Sequence, residues 1–254
     1  MTARAPFDLV GRTALVTGAN TGIGQGIALA LAEAGATVVA AGRSSMAETV
    51  AMITNAGGRC LPLAVDLQKS GIAAEIVARA NEAAGPLDIL VNNAGIIRRA
   101  DALDFSESDW DEVMNVNLKA SFFLSQSFVK AALAGGRTGR IVNIASLLSF
   151  QGGIRVASYT ASKSGLAGLT RLLACEWAGK GINVNAIAPG YVESNNTQAL
   201  REDADRNAAI LSRIPAGRWG KPSDIGGAAV FLASDAAAYV HGAIIPVDGG
   251  WLAR

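Results

Sequence analysis

The chain has 254 residues, of which 50% are hydrophobic and 17% charged, and its formal net charge at pH 7 is +1. Because the charges are scattered and nearly balanced, the composition argues against a nucleic-acid-binding surface and against a strongly acidic partner. One histidine and two isolated cysteines, Cys60 and Cys175, argue against a metal site and a disulfide, so we expect both thiols to be buried packing residues.

The N-terminal segment, residues 1–12, lacks the apolar stretch of a signal peptide. The longest apolar run, residues 27–41, is interrupted by Glu33 and Gly35 and is too short to span a bilayer. We therefore expect a cytoplasmic protein that does not span a membrane.

From residue 13 onward, runs of β-branched residues alternate with alanine-rich amphipathic stretches, which is typical of βαβ units and a parallel sheet. The predicted strands are 13–17, 36–41, 60–65, 88–91, 139–145, 182–188 and 242–247. The predicted helices lie near 23–34, 46–56, 71–84, 107–134, 158–179, 198–212 and 223–233. Because the strands are nearly unbroken apolar runs, we expect one three-layer α/β/α domain over residues 1–254, with ligands at the carboxyl ends of the strands. A closed (β/α)8 barrel is the alternative, but seven strands argue against it.

A glycine-rich run, TGANTGIG at residues 17–24, follows the first predicted strand and opens the first helix. Gly18 allows a sharp turn, Gly22 a close approach of the backbone to a phosphate, and Gly24 packing of the helix against the strand. The helix N-terminus then offers unpaired N–H groups and a positive dipole end to a pyrophosphate. The spacing is GxxxGxG rather than GxGxxG, so the prediction of a dinucleotide site rests on this strand-turn-helix context.

The ends of the second and third strands bear on the choice of dinucleotide. The acid that pairs with the ribose 2′-OH in NAD sites is missing after the second strand, where Gly42, Arg43 and Ser44 stand. Arg43 can pair with a 2′-phosphate, which favours NADP(H) over NAD(H), although stacking on adenine or a solvated side chain stays open. Asp66, followed by Leu67, is either a partner for the adenine amino group or a turn residue at the end of the third strand.

Asparagines mark two further positions. NNAG, residues 92–95, ends the fourth strand, where the amides can satisfy backbone groups while Ala94 and Gly95 leave room for the adenosine ribose. An ordinary Asn-Gly turn is the alternative. Asn117 falls inside the predicted helix 107–134, where asparagine is mildly unfavourable, and this indicates either a structural distortion or a functional role.

Tyr159 and Lys163 are four residues apart on a predicted helix and therefore share one face, with Ser146 upstream of them. A phenol has a pKa of about 10, and an adjacent ammonium favours the phenolate and lowers that pKa. A phenol tuned in this way is suited to proton transfer to and from a carbonyl oxygen. A surface Tyr–Lys pair that meets by chance is the alternative.

Six features occur along the chain in a fixed order: TGANTGIG, NNAG, Asn117, Ser146, YTASK (159–163) and the Pro189-Gly190 turn. Together they resemble the short-chain dehydrogenase/reductase family over essentially the whole chain. The resemblance implies a Rossmann-type seven-stranded parallel sheet that binds NAD(H) or NADP(H), in a homotetramer.

By position, the resemblance implies that Tyr159 is the acid/base and that Ser146 hydrogen-bonds the substrate oxygen. It also implies that Lys163 binds the nicotinamide ribose and that Asn117 holds a relay water. Ser194 stands where the family often has threonine near the nicotinamide amide, and it keeps the hydroxyl. The predicted cofactor-binding residues are Gly18, Asn20, Thr21, Gly22, Ile23, Gly24, Arg43, Ser44, Asp66, Leu67, Asn93, Ala94, Gly95, Tyr159, Lys163, Pro189, Gly190, Val192 and Ser194.

Several segments are similar to one branch of that family, the 2-deoxy-D-gluconate 3-dehydrogenase or 2-dehydro-3-deoxy-D-gluconate 5-dehydrogenase group. These segments are residues 96–103, 146–165, 195–201, 213–220 and 247–254. This similarity implies hydride transfer between nicotinamide and a ketone or secondary alcohol of a deoxy-keto sugar acid. A 3-oxoacyl-thioester reductase or a gluconate 5-dehydrogenase is the alternative. A non-catalytic dinucleotide-binding sensor is a more remote alternative, because all four residues that the resemblance makes catalytic, Asn117, Ser146, Tyr159 and Lys163, are present.

Basic and amide residues near these motifs are compatible with a polar anion as substrate, since arginine can clamp a carboxylate through two hydrogen bonds. Surface or subunit-contact roles for Arg98, Arg99 and Arg155 stay open. We expect a substrate lid over about residues 191–215. Trp251 and Arg254 are expected to pack in a subunit interface, and the alternative is that they reach the pocket of a neighbouring subunit. The predicted substrate-binding residues are Arg98, Ser146, Gln151, Arg155, Tyr159 and Asn196.

Overall fold

The computed structural model describes residues 5–254. Its centre is an all-parallel sheet with the strand order β3-β2-β1-β4-β5-β6-β7. The strands are β1 (Thr13–Thr17), β2 (Thr37–Gly42), β3 (Arg59–Ala64), β4 (Ile89–Asn92), β5 (Gly139–Ile144), β6 (Ile182–Pro189) and β7 (Ile244–Val247). The predicted Rossmann-type fold with a seven-stranded parallel sheet is therefore confirmed.

Helices cover both faces of the sheet. They are α1 (Gly22–Glu33), α2 (Ala47–Asn55), α3 (Ala73–Ala84), α4 (Glu107–Met114), α5 (Ala120–Ala134), α6 (Ala157–Trp177), α7 (Gln198–Glu202), α8 (Ala204–Leu211) and α9 (Pro222–Ala233). In β1, Ala14 and Val16 pack in a core with α1, α2 and α9, whereas Leu15 packs in a second core with α3, α5 and α6. All three side chains are fully buried, which explains why the strands are apolar at successive positions.

The stretch predicted as one helix, residues 107–134, is α4 and α5 joined by a π-helical turn at Asn115–Lys119. Asn117 lies within this turn and is fully buried. The distortion that asparagine indicated is therefore present, and π-turns inside helices are frequent at functional sites.

Three other predictions need correction. The strand β7 begins at Ile244 rather than at residue 242, because Gly242 adopts a left-handed turn with φ 71°. The predicted helix 198–212 is broken at Asp203, whose carboxylate accepts the first N–H groups of α8. Cys60 is buried as expected, but Cys175 is exposed on α6.

Within residues 5–254, no helix is long and apolar enough to cross a membrane. Among the same residues, no three histidine, cysteine or carboxylate side chains lie together in a group that could hold a metal ion.

The strand order reverses between β1 and β4, and this is where an open α/β sheet forms a ligand crevice. Thr17, the last residue of β1, joins the two strand ends there. Its Oγ1 accepts the N–H groups of Asn93 at 3.0 Å and Ala94 at 3.1 Å, and it donates to the Val91 carbonyl at 3.2 Å. These bonds hold the first residues after β4 beside the glycine-rich run.

Candidate active site and cofactor cleft

A cleft of about 390 Å³ lies at the carboxyl ends of the strands, around the β1–β4 switch point. Every residue predicted to bind the cofactor lines this cleft, and so does Ser146. The structure therefore brings together residues that are far apart in the sequence. The cleft is also lined by residues that sequence reasoning did not single out, including Val65, Gln68, Ile144, Ala145 and Thr197.

The glycines of residues 17–24 allow the backbone of this turn to pack closely against itself and against the Asn93 side chain. Gly18 and Gly22 adopt left-handed conformations, with φ 65° and 58°, which side-chain-bearing residues rarely take. A Cβ atom on Gly24 would collide with the Gly18 carbonyl and with the Asn93 side chain. That amide donates to the carbonyls of Thr17 at 2.9 Å and Gly18 at 3.2 Å, so it holds the turn in place.

The N-terminus of α1 is a suitable cradle for a pyrophosphate. Thr21 occupies the N-cap position, but its side chain does not cap the helix, and the first turn contains no acidic residue. The unpaired N–H groups and the positive end of the helix dipole are therefore available to an anion in the cleft. The residues present fit a dinucleotide.

Replacing Gly24 with alanine is expected to weaken NADPH binding at least tenfold. The new Cβ must displace backbone at the Gly18 carbonyl, and overpacking of this kind costs about 1–3 kcal/mol of stability. Fluorescence titration with NADPH and thermal unfolding measure the two effects. Gly168→Ala on α6 is the matched control, because its Cβ would meet nothing within 4 Å. NADPH affinity of Gly24→Ala equal to that of the wild type would contradict the cradle.

Ser146, Tyr159 and Lys163 converge in the cleft. The Lys163 ammonium lies 5.6 Å from the centroid of the Tyr159 ring, as expected for two residues on one face of α6. Lys163 is 3% exposed, and its Nζ donates to the carbonyl of Ile144, the last residue of β5, at 2.6 Å. The Ser146 side chain lies close enough to Tyr159 to lower the pKa of the phenol.

Two serines fasten the turn that carries Ser146 to the helix that carries Tyr159. Ser149 Oγ donates to the Lys163 carbonyl at 2.8 Å, and Ser164 Oγ donates to the Leu148 carbonyl at 3.0 Å. These two hydrogen bonds between the turn and the helix therefore fix the position of Ser146 relative to Tyr159.

Burial raises the pKa of Tyr159 above its ordinary value, and this effect outweighs the Ser146 hydrogen bond and the positive charge of Arg99, which both lower it. The prediction that Lys163 lowers the phenol pKa is wrong for this structure. Burial also lowers the pKa of Lys163 to about 8, so its charge is itself disfavoured. Tyr159 therefore keeps its proton at neutral pH.

Asn117 does not line the cleft, although residues next to it do. Its side chain hydrogen-bonds the segment that follows β4. Oδ1 accepts the Ile96 N–H at 2.8 Å, and Nδ2 donates to the Ile96 carbonyl at 2.9 Å. Nδ2 also donates to Ser162 Oγ on α6 at 3.2 Å. Because the amide is occupied by protein partners, this side chain positions the cleft wall. Its role in holding a relay water remains a prediction.

The NNAG segment combines structural and lining positions. Asn92 is buried, and its two shortest hydrogen bonds go to side chains, Asn143 Oδ1 at 2.9 Å and Ser125 Oγ at 3.0 Å. The amide that satisfies backbone carbonyls, as predicted for this segment, is that of Asn93. A Cβ on Gly95 would lie 3.6 Å from Lys163 Nζ. The absence of a side chain at Gly95 therefore keeps the space beside the ammonium open.

The adenosine end of the cleft contains Arg43 and Asp66. One guanidinium nitrogen of Arg43 lies 3.5 Å from Gln68 Oε1, and no carboxylate in residues 5–254 forms an ion pair with it. Asp66 Oδ1 accepts the Gln68 N–H at 3.1 Å, so this aspartate does form the turn that the sequence left open.

The predicted substrate residues divide into two groups. Ser146, Tyr159 and Asn196 line the cleft, whereas Arg98, Gln151 and Arg155 do not. Arg98 forms ion pairs with Glu112 at 2.6 Å and Asp109 at 3.4 Å, and Arg155 pairs with Asp101 at 3.5 Å. Gln151 Oε1 accepts the indole N–H of Trp251 at 3.2 Å.

Trp251 packs within its own chain rather than in the expected subunit interface. It is 4% exposed in a cluster with Leu147, Ile210 and Trp219 that joins the segment 191–215 to the rest of the fold. The guanidinium carbon of Arg213 lies 4.0 Å above its ring. This cluster supports the segment at the mouth of the cleft.

Comparison with known proteins places the chain in a family. The family described as enoyl-(acyl carrier protein) reductase matches residues 18–252. The 2-dehydro-3-deoxy-D-gluconate 5-dehydrogenase of Escherichia coli is 59% identical over 248 residues, which are 98% of each chain.

Two solved structures are closely similar. An Agrobacterium tumefaciens protein, provisionally a 2-deoxy-D-gluconate 3-dehydrogenase and solved with bound NADP, is 65% identical, with a TM-score of 0.94 over 99% of this chain and 100% of that one. A Beutenbergia cavernae protein, provisionally an NAD(P)-dependent gluconate 5-dehydrogenase and solved with NADP at low occupancy, is 55% identical, with a TM-score of 0.94 over 98% of this chain and 100% of that one. With the Ser–Tyr–Lys site and the dinucleotide cleft, these matches show that the chain belongs to the short-chain dehydrogenase/reductase family of NAD(P)-dependent oxidoreductases.

Proposed function

We propose that the chain interconverts a ketone and a secondary alcohol of a deoxy-keto sugar acid of the 2-dehydro-3-deoxy-D-gluconate type. The observation that carries the proposal is the convergence of Ser146, Tyr159 and Lys163 in a cleft lined by every predicted cofactor residue. The similarity to the E. coli enzyme over 98% of both chains supports the choice of substrate class.

When bound, the nicotinamide supplies or accepts the hydride at its C4 atom. Tyr159 holds a proton at neutral pH, because burial raises its pKa, and it donates this proton to the carbonyl oxygen during reduction. Ser146 donates a hydrogen bond to the oxygen as negative charge develops there. In the reverse direction Tyr159 must first lose its proton, so alcohol oxidation is expected to accelerate with rising pH.

The proposal is tested by comparing substrates of the competing activities. The initial rate of NADPH or NADH oxidation is measured with a 2,5-diketo-3-deoxy sugar acid, with 5-keto-gluconate and with a 3-oxoacyl thioester. We expect the deoxy sugar acid to be reduced with the highest kcat/KM. Preference for the thioester would retain the family and overturn the substrate class.

We further propose that the enzyme prefers NADP(H). Arg43 lies at the adenosine end of the cleft without a carboxylate partner in the described chain, and no acid stands beside it after β2 to repel a 2′-phosphate. The NADP bound to the Agrobacterium tumefaciens relative supports this preference.

Arg43→Ala is expected to lower kcat/KM for NADPH about tenfold or more, because a charge-assisted contact to phosphate is worth about 1.5–3 kcal/mol. The value for NADH should change less than threefold. Arg59→Ala, at the exposed amino end of β3, is the control. An equal fall in kcat/KM with NADPH and with NADH would show that Arg43 does not bind the 2′-phosphate.

A homotetramer also belongs to this proposal. Exposed apolar side chains on α4 and α6, Trp110 at 40% and Leu172 at 49% exposure, are suitable for subunit contacts. Light scattering of the purified protein measures the mass, and a monomer of 25.9 kDa would contradict the tetramer. The cytoplasmic location expected from the sequence stays a proposal.

A further inference from the structure

The side-chain amide of Gln68 lies between a cation and an acid at the adenosine end of the cofactor cleft. Gln68 lines this cleft together with Arg43, and its Oε1 lies 3.5 Å from a guanidinium nitrogen of Arg43. Its Nε2 donates to Glu112 Oε1 on α4. Both polar groups of the amide are therefore in use, the acceptor toward the cation and the donor toward the acid.

The orientation of this amide is fixed from the side opposite Arg43. Glu112 Oε2 forms an ion pair with Arg98 Nη2 at 2.6 Å, which holds the Glu112 carboxylate in place. Asp66 Oδ1 accepts the backbone N–H of Gln68 at 3.1 Å, which fixes the turn that carries the amide. Because an ionised carboxylate only accepts hydrogen bonds, Nε2 must face Glu112, and Oε1 is thereby turned toward Arg43.

The amide contacts Arg43 without cancelling its charge. A guanidinium carries five N–H donors, and the contact with Gln68 uses one nitrogen, so donors remain for a phosphate. Within residues 5–254 no carboxylate forms an ion pair with Arg43, and the charge of Glu112 is balanced by Arg98. A carboxylate at position 68 would instead pair with the guanidinium and repel a phosphate.

We propose that Gln68 is a positioning residue for coenzyme selection, which orients the Arg43 guanidinium for the 2′-phosphate of NADP(H) and leaves its charge intact. This inference rests on the coenzyme preference given under the proposed function. Arg43 is the residue that binds the phosphate, and Gln68 acts through it. Glu112 and Arg98 in turn hold the amide of Gln68.

The test compares ligands with and without the 2′-phosphate in two variants. In Gln68→Glu the new carboxylate pairs with Arg43 and repels the phosphate, so kcat/KM for NADPH should fall about tenfold or more and that for NADH less than about threefold. Calorimetric titration with adenosine 2′,5′-bisphosphate and with 5′-AMP should give the same contrast in affinity. Gln68→Met, which lacks both polar groups, should weaken binding of the bisphosphate about threefold to tenfold.

Gln126→Glu on α5 is the matched control, because Gln126 Oε1 also accepts from a cation, Lys130 Nζ at 3.3 Å, but does not line the cofactor cleft. It should match the wild type with every ligand. Equal losses of affinity for the bisphosphate and for 5′-AMP in Gln68→Glu would overturn the proposal, because residue 68 would then act on the adenosine or on the fold. Unchanged affinity for the bisphosphate would overturn it as well.

A double-variant cycle separates failure of this inference from failure of the proposed function, and its titrations need no sugar acid. If Gln68 acts through Arg43, the loss of bisphosphate affinity caused by Gln68→Met should disappear in the Arg43→Ala background. Additive losses would overturn the inference alone, because Gln68 would then act independently of Arg43. If Arg43→Ala binds the bisphosphate as tightly as the wild type does, the proposed coenzyme preference fails and the inference fails with it.

Discussion

Tyr159→Phe is expected to lower kcat for ketone reduction by about 10³-fold or more, while the affinity for NADPH changes less than threefold. The variant loses the proton donor, a contribution of about 10²–10⁴-fold, and also the hydroxyl that orients the substrate oxygen together with Ser146. Stopped-flow measurement of NADPH oxidation and fluorescence titration of NADPH separate the two quantities.

Tyr191→Phe is the matched control for Tyr159→Phe, because it also removes one phenolic hydroxyl. The Tyr191 ring packs at a tilt against Trp251, with ring centroids 4.7 Å apart, and does not line the cleft, so this variant should keep wild-type rates. Turnover by Tyr159→Phe within tenfold of the wild type would refute Tyr159 as the proton donor.

Lys163→Met is expected to lose both activity and cofactor affinity without losing stability. The ammonium lies in the cleft beside the Tyr159 ring, so its removal takes away a charge and three N–H donors at the proposed ribose position. We expect kcat to fall at least 100-fold and the Kd for NADPH to rise at least tenfold. Lys180→Met, at an exposed position after α6, is the control.

The stability of the cofactor-free protein should respond to Lys163→Met in a pH-dependent way. Burial lowers the pKa of Lys163 from 10.5 to about 8, so between these values the unfolded chain binds more protons than the folded one. Stability of the wild type therefore rises with pH across this window, and below pH 8 the buried charge costs about 3 kcal/mol at about 1.4 kcal/mol per pKa unit.

Methionine is neutral at every pH and is free of this cost. The variant should therefore be at least as stable as the wild type at pH 7, and the wild type should gain on it as the pH rises from 8 to 10. Urea unfolding at several pH values measures the difference. A variant much less stable at pH 7 would show that the hydrogen bond from Lys163 to Ile144 outweighs the cost of burial.

The fold and the cofactor cleft are predictable from the sequence because their signals are local. The sequence of β1 is an apolar run because both of its faces are buried. Gly18 and Gly22 occupy the two positions of the following turn that need a left-handed backbone conformation. The π-turn at Asn117 was indicated only as a distortion, because its type depends on the clasp with Ile96, a contact between distant segments.

The errors concern side-chain partners, which sequence spacing does not determine. Arg98 and Arg99 are adjacent in the sequence, yet Arg98 is neutralised by two acids of α4 while Arg99 contacts the segment 191–215. Thr17 was not recognised as the bridge between β1 and β4, although it begins the glycine-rich motif. The direction of the Tyr159 pKa shift depends on burial, and the i,i+4 pattern with Lys163 does not report burial.

The most direct test of the proposed reaction follows the hydride itself. NADPH deuterated at the transferred C4 position is incubated with the enzyme and a 2,5-diketo-3-deoxy sugar acid, and the product is examined by mass spectrometry. We expect one carbon-bound deuterium in the hydroxy acid formed by the wild type, and no product above background with Tyr159→Phe. NADPH consumption without deuterium in the sugar acid would contradict hydride transfer to this substrate class.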